Sequence, residues 1–196
     1  MFPYNVRMSS DVFSSLSGQF LIAMPAMGDP NFARGVALMC QHDANGAAAL
    51  LINRRSEYAF RDVLQHLNLP NDNAGLDDVP VLIGGPVQPE RGFVLHPADT
   101  AWESSYRIND RWAITTSRDI LVAMAEGRGP ERALMMLGYS GWSPGQLEQE
   151  IGDNAWLTVE AADRVLFETA LEERWQAATK LVGIDAFQLS PFAGHA

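Results

Sequence analysis

Two apolar runs, "GVALMCQHD" (35–43) and "GAAALLIN" (46–53), are joined through Ala44-Asn45-Gly46. Asn-Gly is the strongest short hairpin signal, because both residues tolerate the positive φ that a tight turn between twisted strands requires. The pair places antiparallel β-structure early in the chain, so a purely helical fold is excluded. Other segments agree. "GQFLIAMP" (18–25) reads as a strand stopped by Pro25, "PVLIGG" and "GFVLHP" as two more, and "SYRINDRWAITTS" as a second hairpin turning at Asn109-Asp110. "AWLTV" and "RVLF" read as short strands further on.

Helix punctuation falls between and after these strands. Asp29 caps a single helical turn beginning at Pro30, and a helix over 59–67 leads into an Asn/Asp/Gly-rich loop at 68–78, expected to be the least ordered segment. Ser117 caps a helix over 118–126 that Gly127 ends. Pro130 opens the next one, "PERALMMLG", with Gly138 past its end. In "SPGQLEQEIG", Ser143 and Gln146 form a capping-box pattern with Pro144 at the first position and Gly152 at the close. Thr169 with Glu172 caps a last amphipathic helix reaching Val182, stopped by Gly183.

At 196 residues, 47% of them hydrophobic, the chain can bury one substantial core, and no repeat divides it. A single cysteine excludes an intramolecular disulfide and a cysteine-ligated metal cluster. The start, "MFPYNVRMSSDVFSS", lacks the apolar stretch of an export signal, and "FLIAMPAM" is too short to span a bilayer, so a cytoplasmic protein away from the membrane is expected. Twenty-four acids against fourteen Lys and Arg leave a net charge of −10. Such a surface repels phosphate backbones, and the one locally basic stretch, "NRRSEYAFR" with Arg54, Arg55 and Arg61, reads as a solvated loop entering a helix. Direct nucleic-acid binding is not expected.

Candidate chemistry is sparse. Cys40 and His42 are two apart on a strand, and alternation would put thiol and imidazole on one face. If exposed, the pair would favour thiolate; if buried with Val36 and Leu38, Cys40 would act as a small hydrophobe with a raised pKa, and the sequence favours this second reading. "IGGPV" lacks the lysine and spacing of a phosphate loop, so Gly84 and Gly85 read as a turn where backbone passes close by. "GYSGW" reads as a turn between two helices, with Tyr139 and Trp142 plugging the core or walling a cleft. Any such cleft is expected between that turn, the Gly84-Gly85-Pro86 turn and His96. His42, His66, His96 and His195 lack metal-ligand spacing, and no Gly-x-Ser-x-Gly elbow occurs, so neither a metal site nor a hydrolase nucleophile is assigned.

The ordered blocks "GQFLIAMPAMGDPNFARGVALMCQH", "GAAALLIN", "VLIGGPV", "GFVLHP", "SRDIL", "GYSGWSPGQLEQEI", "NAWL" and "RW" resemble the AlgH/YqgE family of bacterial proteins over about residues 15–184. Two places depart from the family pattern: Gly46-Ala47-Ala48-Ala49-Leu50 replaces the usual Gly-Ala-Met-Gly-Leu, and Arg55 stands where proline is common. The resemblance implies a single α+β domain over 15–184, its mixed, partly barrel-like sheet packed with helices, between an N-terminal extension (1–14) and a C-terminal tail (185–196). Family members carry the label of transcriptional regulator, with alginate production in pseudomonads as the usual context, and bring no enzyme activity or cofactor. The expectation is thus a non-enzymatic regulatory or binding protein that reaches gene expression through a protein partner or small ligand. The alternative is an enzyme or redox-responsive protein using Cys40 with His42.

Overall fold

The computed structural model describes residues 14–183. The expected extension and tail lie outside them, except for Ser14. Strands β1 (Gln19–Ala23), β2 (Val36–Asp43), β3 (Gly46–Leu51) and β4 (Arg55–Ala59) are followed by helix α1 (Phe60–His66). Next come β5 (Pro80–Ile83), β6 (Val87–Pro97), β7 (Ser105–Arg107), β8 (Trp112–Thr115), α2 (Arg118–Ala125) and β9 (Leu134–Trp142). The chain continues through α3 (Gln146–Gly152), β10 (Trp156–Glu160), a π-helical segment (Arg164–Glu168) and α4 (Arg174–Leu181).

Both predicted hairpins form. In the first, Asp43 pairs with Gly46, the Asp43 carboxylate accepts the Asn45 N–H, and Gly46 takes φ +131°. In the second, β7 pairs with β8 while the Asn109 side chain accepts the N–H groups of Arg111 and Trp112. The strands join in the order β10-β1-β2-β3-β9-β6-β8-β7, antiparallel throughout, and β5 adds a parallel pairing to β9 and an antiparallel one to β4. The sheet curls into a half-barrel, and Arg111, just before β8, reaches Glu160 and the Ala161 carbonyl at the far end of β10. This is one compact α+β domain.

Three apolar clusters hold it. Alternate residues of β1 and β2 serve opposite faces: Phe20, Ile22, Val36 and Leu38 enter one cluster with Trp112, Leu166 and Ala178, whereas Leu21, Ala23, Ala37 and Met39 enter another with Trp142, Leu147 and Trp156 under α3. Strands buried on both faces read as continuous apolar runs, as these do. The third cluster packs Phe60 and Leu64 of α1 and Ile120 and Met124 of α2 onto Val81, Val94 and Met135. Each such side chain contributes about 1.5–3 kcal/mol on full burial. α4 is fastened by main-chain acceptors: the buried Arg174 guanidinium donates to the carbonyls of Ile52 and Thr169, and the Trp175 indole to that of Ala23. Burial lowers the Arg174 pKa to about 10, which leaves it charged at neutral pH.

Several expectations are corrected. The helix expected from Pro130 to Gly138 is strand β9, so "GYSGW" is the end of a strand and not a turn between helices. Pairing with β3, β5 and β6 at the centre of the sheet outweighs the helical preference of Leu and Met. "RVLF" is not a strand but part of the π-helical segment. The Thr169 hydroxyl bonds back to the Arg164 carbonyl and caps no following helix, and α3 begins at Gln146 after Gly145 at φ +77°. The 68–78 loop carries a short 3-10 turn (Ala74–Leu76), with Leu69 and Leu76 packed on the third cluster.

Candidate functional site

α1 and α2 both pack on the face of the sheet formed by β6 and β9, and between them a cleft of about 730 Å³ stays open. That is within the range of small-molecule sites. Its floor and walls are apolar: Val94, Met135 and Leu137 come from the strands, Val63 and Leu67 from α1 and its end, and Leu121 from α2. Gly92 keeps the floor low, since a Cβ there would lie 2.9 Å from the Met135 methyl. Polar groups stand on the rim: Tyr58, Asp62, His66, Glu90, Ser117 and Arg118.

Three of the rim groups are placed by local structure. Asp62 accepts the Ala59 N–H at 2.7 Å, the backbone half of a helix-start motif. Arg118 opens α2, and its Nη2 donates to the Leu67 carbonyl at 3.1 Å, which brings the guanidinium to the end of α1. Ser117 accepts the Ser104 N–H and donates to Asp119. Beneath the rim, Thr115 forms part of the wall and bonds at 2.8 Å to both His96 Nε2 and Ser105 Oγ. His96 is fully buried; its Nδ1 faces the Pro97 carbonyl at 2.7 Å, which can only accept, so Nδ1 carries the proton and Nε2 accepts from Thr115. Burial lowers the His96 pKa, only partly offset by the bond to Pro97, and holds the ring neutral.

The residues picked out from sequence converge only in part: Cys40 and Tyr139 line a smaller cleft of about 260 Å³ with Phe93 and Tyr106, and the others lie apart from it. Gly84 and Gly85 cross the β9 backbone: Gly84 N–H donates to the Leu137 carbonyl at 2.7 Å, and a Cβ on Gly85 (φ +156°) would lie 2.2 Å from the Tyr139 carbonyl carbon. The close backbone approach is therefore present, and Pro86 follows it at the surface. Tyr139 packs edge-on against Phe93 in the first cluster, while Trp142, three residues later, faces α3, where its indole and that of Trp156 both donate to Glu150 at 2.8 Å. Tyr139 and Trp142 thus lie on opposite faces of β9, and His96 is buried against Thr115, so the cleft expected among these residues is not built.

Cys40 and His42 are also separated. Pairing of β2 with β3 runs from Met39↔Ala49 to Gln41↔Ala48, which leaves Cys40 as the extra residue of a β-bulge. Beyond the bulge the alternation is reversed: Cys40 stays with Phe20 and Leu38, and His42 turns to the opposite face. There its Nδ1 accepts the Leu16 N–H, so Nε2 carries the proton toward Glu148 of α3 at 2.9 Å. The expected shared face is corrected. Burial drives the Cys40 pKa up to about 12 against a weaker backbone hydrogen bond at Leu50.

An AlgH-like family model (DUF179) matches residues 20–187. The chain belongs to the AlgH-like family. A UPF0301 protein of Xanthomonas campestris pv. campestris is 52% identical over 181 residues, covering 92% of this chain and 96% of the relative. One from Xanthomonas oryzae pv. oryzae is 51% identical with the same coverage. Among solved structures, the solution structure of AlgH from Pseudomonas aeruginosa matches with a TM-score of 0.77 at 44% identity, over 96% of this chain and 100% of that one. A crystal structure of a Corynebacterium diphtheriae protein matches with a TM-score of 0.65 at 21% identity, over 90% and 87% of the two chains, and shares the fold. Among the described residues of this AlgH-like chain, no helix is long and apolar enough to cross a membrane, and no group of three or more His, Cys, Asp and Glu could hold a metal ion.

The cleft escaped sequence reasoning because its lining is gathered from residues 58–137, each of which alone reads as core or solvated surface. One signal was present. Arg118 is the first residue of α2, where the helix dipole disfavours a cation, and such a breach of local preference marks a position held for another reason.

Proposed function

We propose that this AlgH-like protein is a non-enzymatic binding protein that acts on gene expression indirectly, by holding a small ligand in the cleft between α1 and α2 rather than by contacting an operator. The carrying observation is that cleft: an apolar floor from four elements under a polar rim, open to solvent, and nearly three times the volume of the smaller cleft at Cys40 and Tyr139. The charge supports the indirect route. Of the three arginines in the one basic stretch, Arg54 is tied to the Ala33 carbonyl and Arg61 to Asp78, which leaves little to meet a phosphate backbone. α3 offers acids, not cations, to any groove.

The test is a thermal-shift screen of metabolites and nucleotides run in parallel on the native chain and on Val63→Trp, which fills the cleft. A ligand at a hundredfold excess over its Kd stabilises the native state by about 2.7 kcal/mol. For a chain of this size that raises the melting temperature by about 5 °C or more. The expected result is at least one such compound, inert toward the Trp variant, and no sequence-selective retardation of duplex DNA at physiological salt. Stabilisation that survives in the Trp variant, or a screen with no hit, overturns the cleft as the binding site.

A further inference from the structure

We infer that the cleft takes a small amphiphilic organic acid, its carboxylate held at Arg118 and His66 and its apolar chain or ring laid over Val94, Met135 and Leu137; this rests on the binding role proposed above. Arg118 and His66 both line the cleft near the end of α1, Arg118 tied there to the Leu67 carbonyl. Glu90 comes from another element, the irregular stretch of β6 between Val87 and Gly92, and forms no ion pair with Arg118. Asp62 sits one helical turn, about 6 Å, before His66 and is engaged by the Ala59 N–H and by Arg61.

Arg118 is not neutralised from within. Among the described residues no carboxylate lies within ion-pair distance of Arg118, although the protein carries ten more negative charges than positive ones. The acid next to it, Asp119, is turned away onto Ser117 Oγ and the Glu103 N–H. The Leu67 carbonyl takes a single donor from a guanidinium that carries five, and a planar fork of this kind matches a carboxylate. The helix start disfavours a cation at this position, so an exposed arginine facing an apolar floor there is placed for an anion that arrives with an apolar body. A cationic or uncharged amphiphile would bury the same apolar surface and leave the guanidinium unmatched.

Isothermal titration with decanoate, decanol and decyltrimethylammonium distinguishes these outcomes. The expected result is saturable one-to-one binding of decanoate, at least tenfold tighter than either of the other two and weakened tenfold or more by Arg118→Gln, while Arg118→Lys retains part of the affinity. Arg118 is exposed, so the Gln variant should melt at the native temperature, which separates lost binding from lost folding. Equal binding of the three amphiphiles, or decanoate binding unchanged in Arg118→Gln, overturns the acid assignment. If screen hits are blocked by Val63→Trp but carry no carboxylate, the binding role stands and this inference fails; if nothing binds, both fail.

Discussion

At Cys40 the strand carries one residue more than its partner, and that insertion decides the chemistry of two side chains. The thiol turns into the first cluster, where it is 3% exposed, and His42 turns to Leu16 and Glu148 on the opposite face. A thiol near pKa 12 is ionised about a thousandth as often at neutral pH as one near 9, and the thiolate is the form that reacts. Native protein should therefore react with iodoacetamide at pH 7.5 at least a hundredfold more slowly than denatured protein, and His42→Ala should leave the native rate unchanged. Fast native labelling that slows in the His42 variant would restore the thiol–imidazole pair. The sequence contained the face assignment of Val36 and Leu38 but not the bulge, since no Gly or Pro marks it.

Among the elements, the β2–β3 hairpin was readable from two residues, and its geometry makes one of them irreplaceable. Gly46 takes φ +131°, and a Cβ there would lie 2.3 Å from the Trp142 carbonyl oxygen of β9, so both the turn and the neighbouring strand need a hydrogen at that place. Gly46→Val should cost about 1–3 kcal/mol, or roughly 2–12 °C in melting temperature. An unchanged thermal or urea unfolding curve would refute this account of the turn. β9 was the element least readable. Pro130 ahead of it and Gly138 within it read like the start and end of a helix, and Met135 and Met136 face different clusters, so no period-two pattern survives. Gly138 in fact takes φ +71° where β9 passes the Gly85 carbonyl. α1 and α2 were recognised nearly to their observed ends, because Ser117 and Gly127 punctuate the second and an apolar stripe marks both. That the two helices stand apart over β6 is a tertiary fact, and no local pattern encodes the cleft between them.

For the molecule as a whole, folding is linked to pH through the buried His96. Its folded pKa is lowered, chiefly by desolvation, while in the unfolded chain it titrates near 6.5. Below about pH 6.5 the unfolded state binds the extra proton, so stability is complete above that value and declines as the pH falls toward 5. The carboxylates of Asp43 and Glu148 are lowered, Asp43 chiefly by the Asn45 N–H and Glu148 chiefly by its own backbone N–H, and act further down: the stability they add is lost as pH falls through their folded values. Unfolding curves between pH 7 and 5 should show this decline in the native chain and a shallower one in His96→Gln, which can still accept from Thr115. Parallel curves would remove His96 as the source.

The pairing of β1 with both β2 and β10 bears on synthesis. Ala23 meets Trp156 and Gln19 meets Glu160, so the first strand made has one ladder edge without its partner until about 140 further residues have left the ribosome. At typical elongation rates that interval is roughly 7–30 s. β2 covers the other edge early, through the local Asn-Gly turn that seeds the β2–β3 pair. The nascent chain thus carries a bare, apolar strand edge for seconds, which makes the growing polypeptide, rather than the finished domain, the form most exposed to mispairing with a neighbour on the same message.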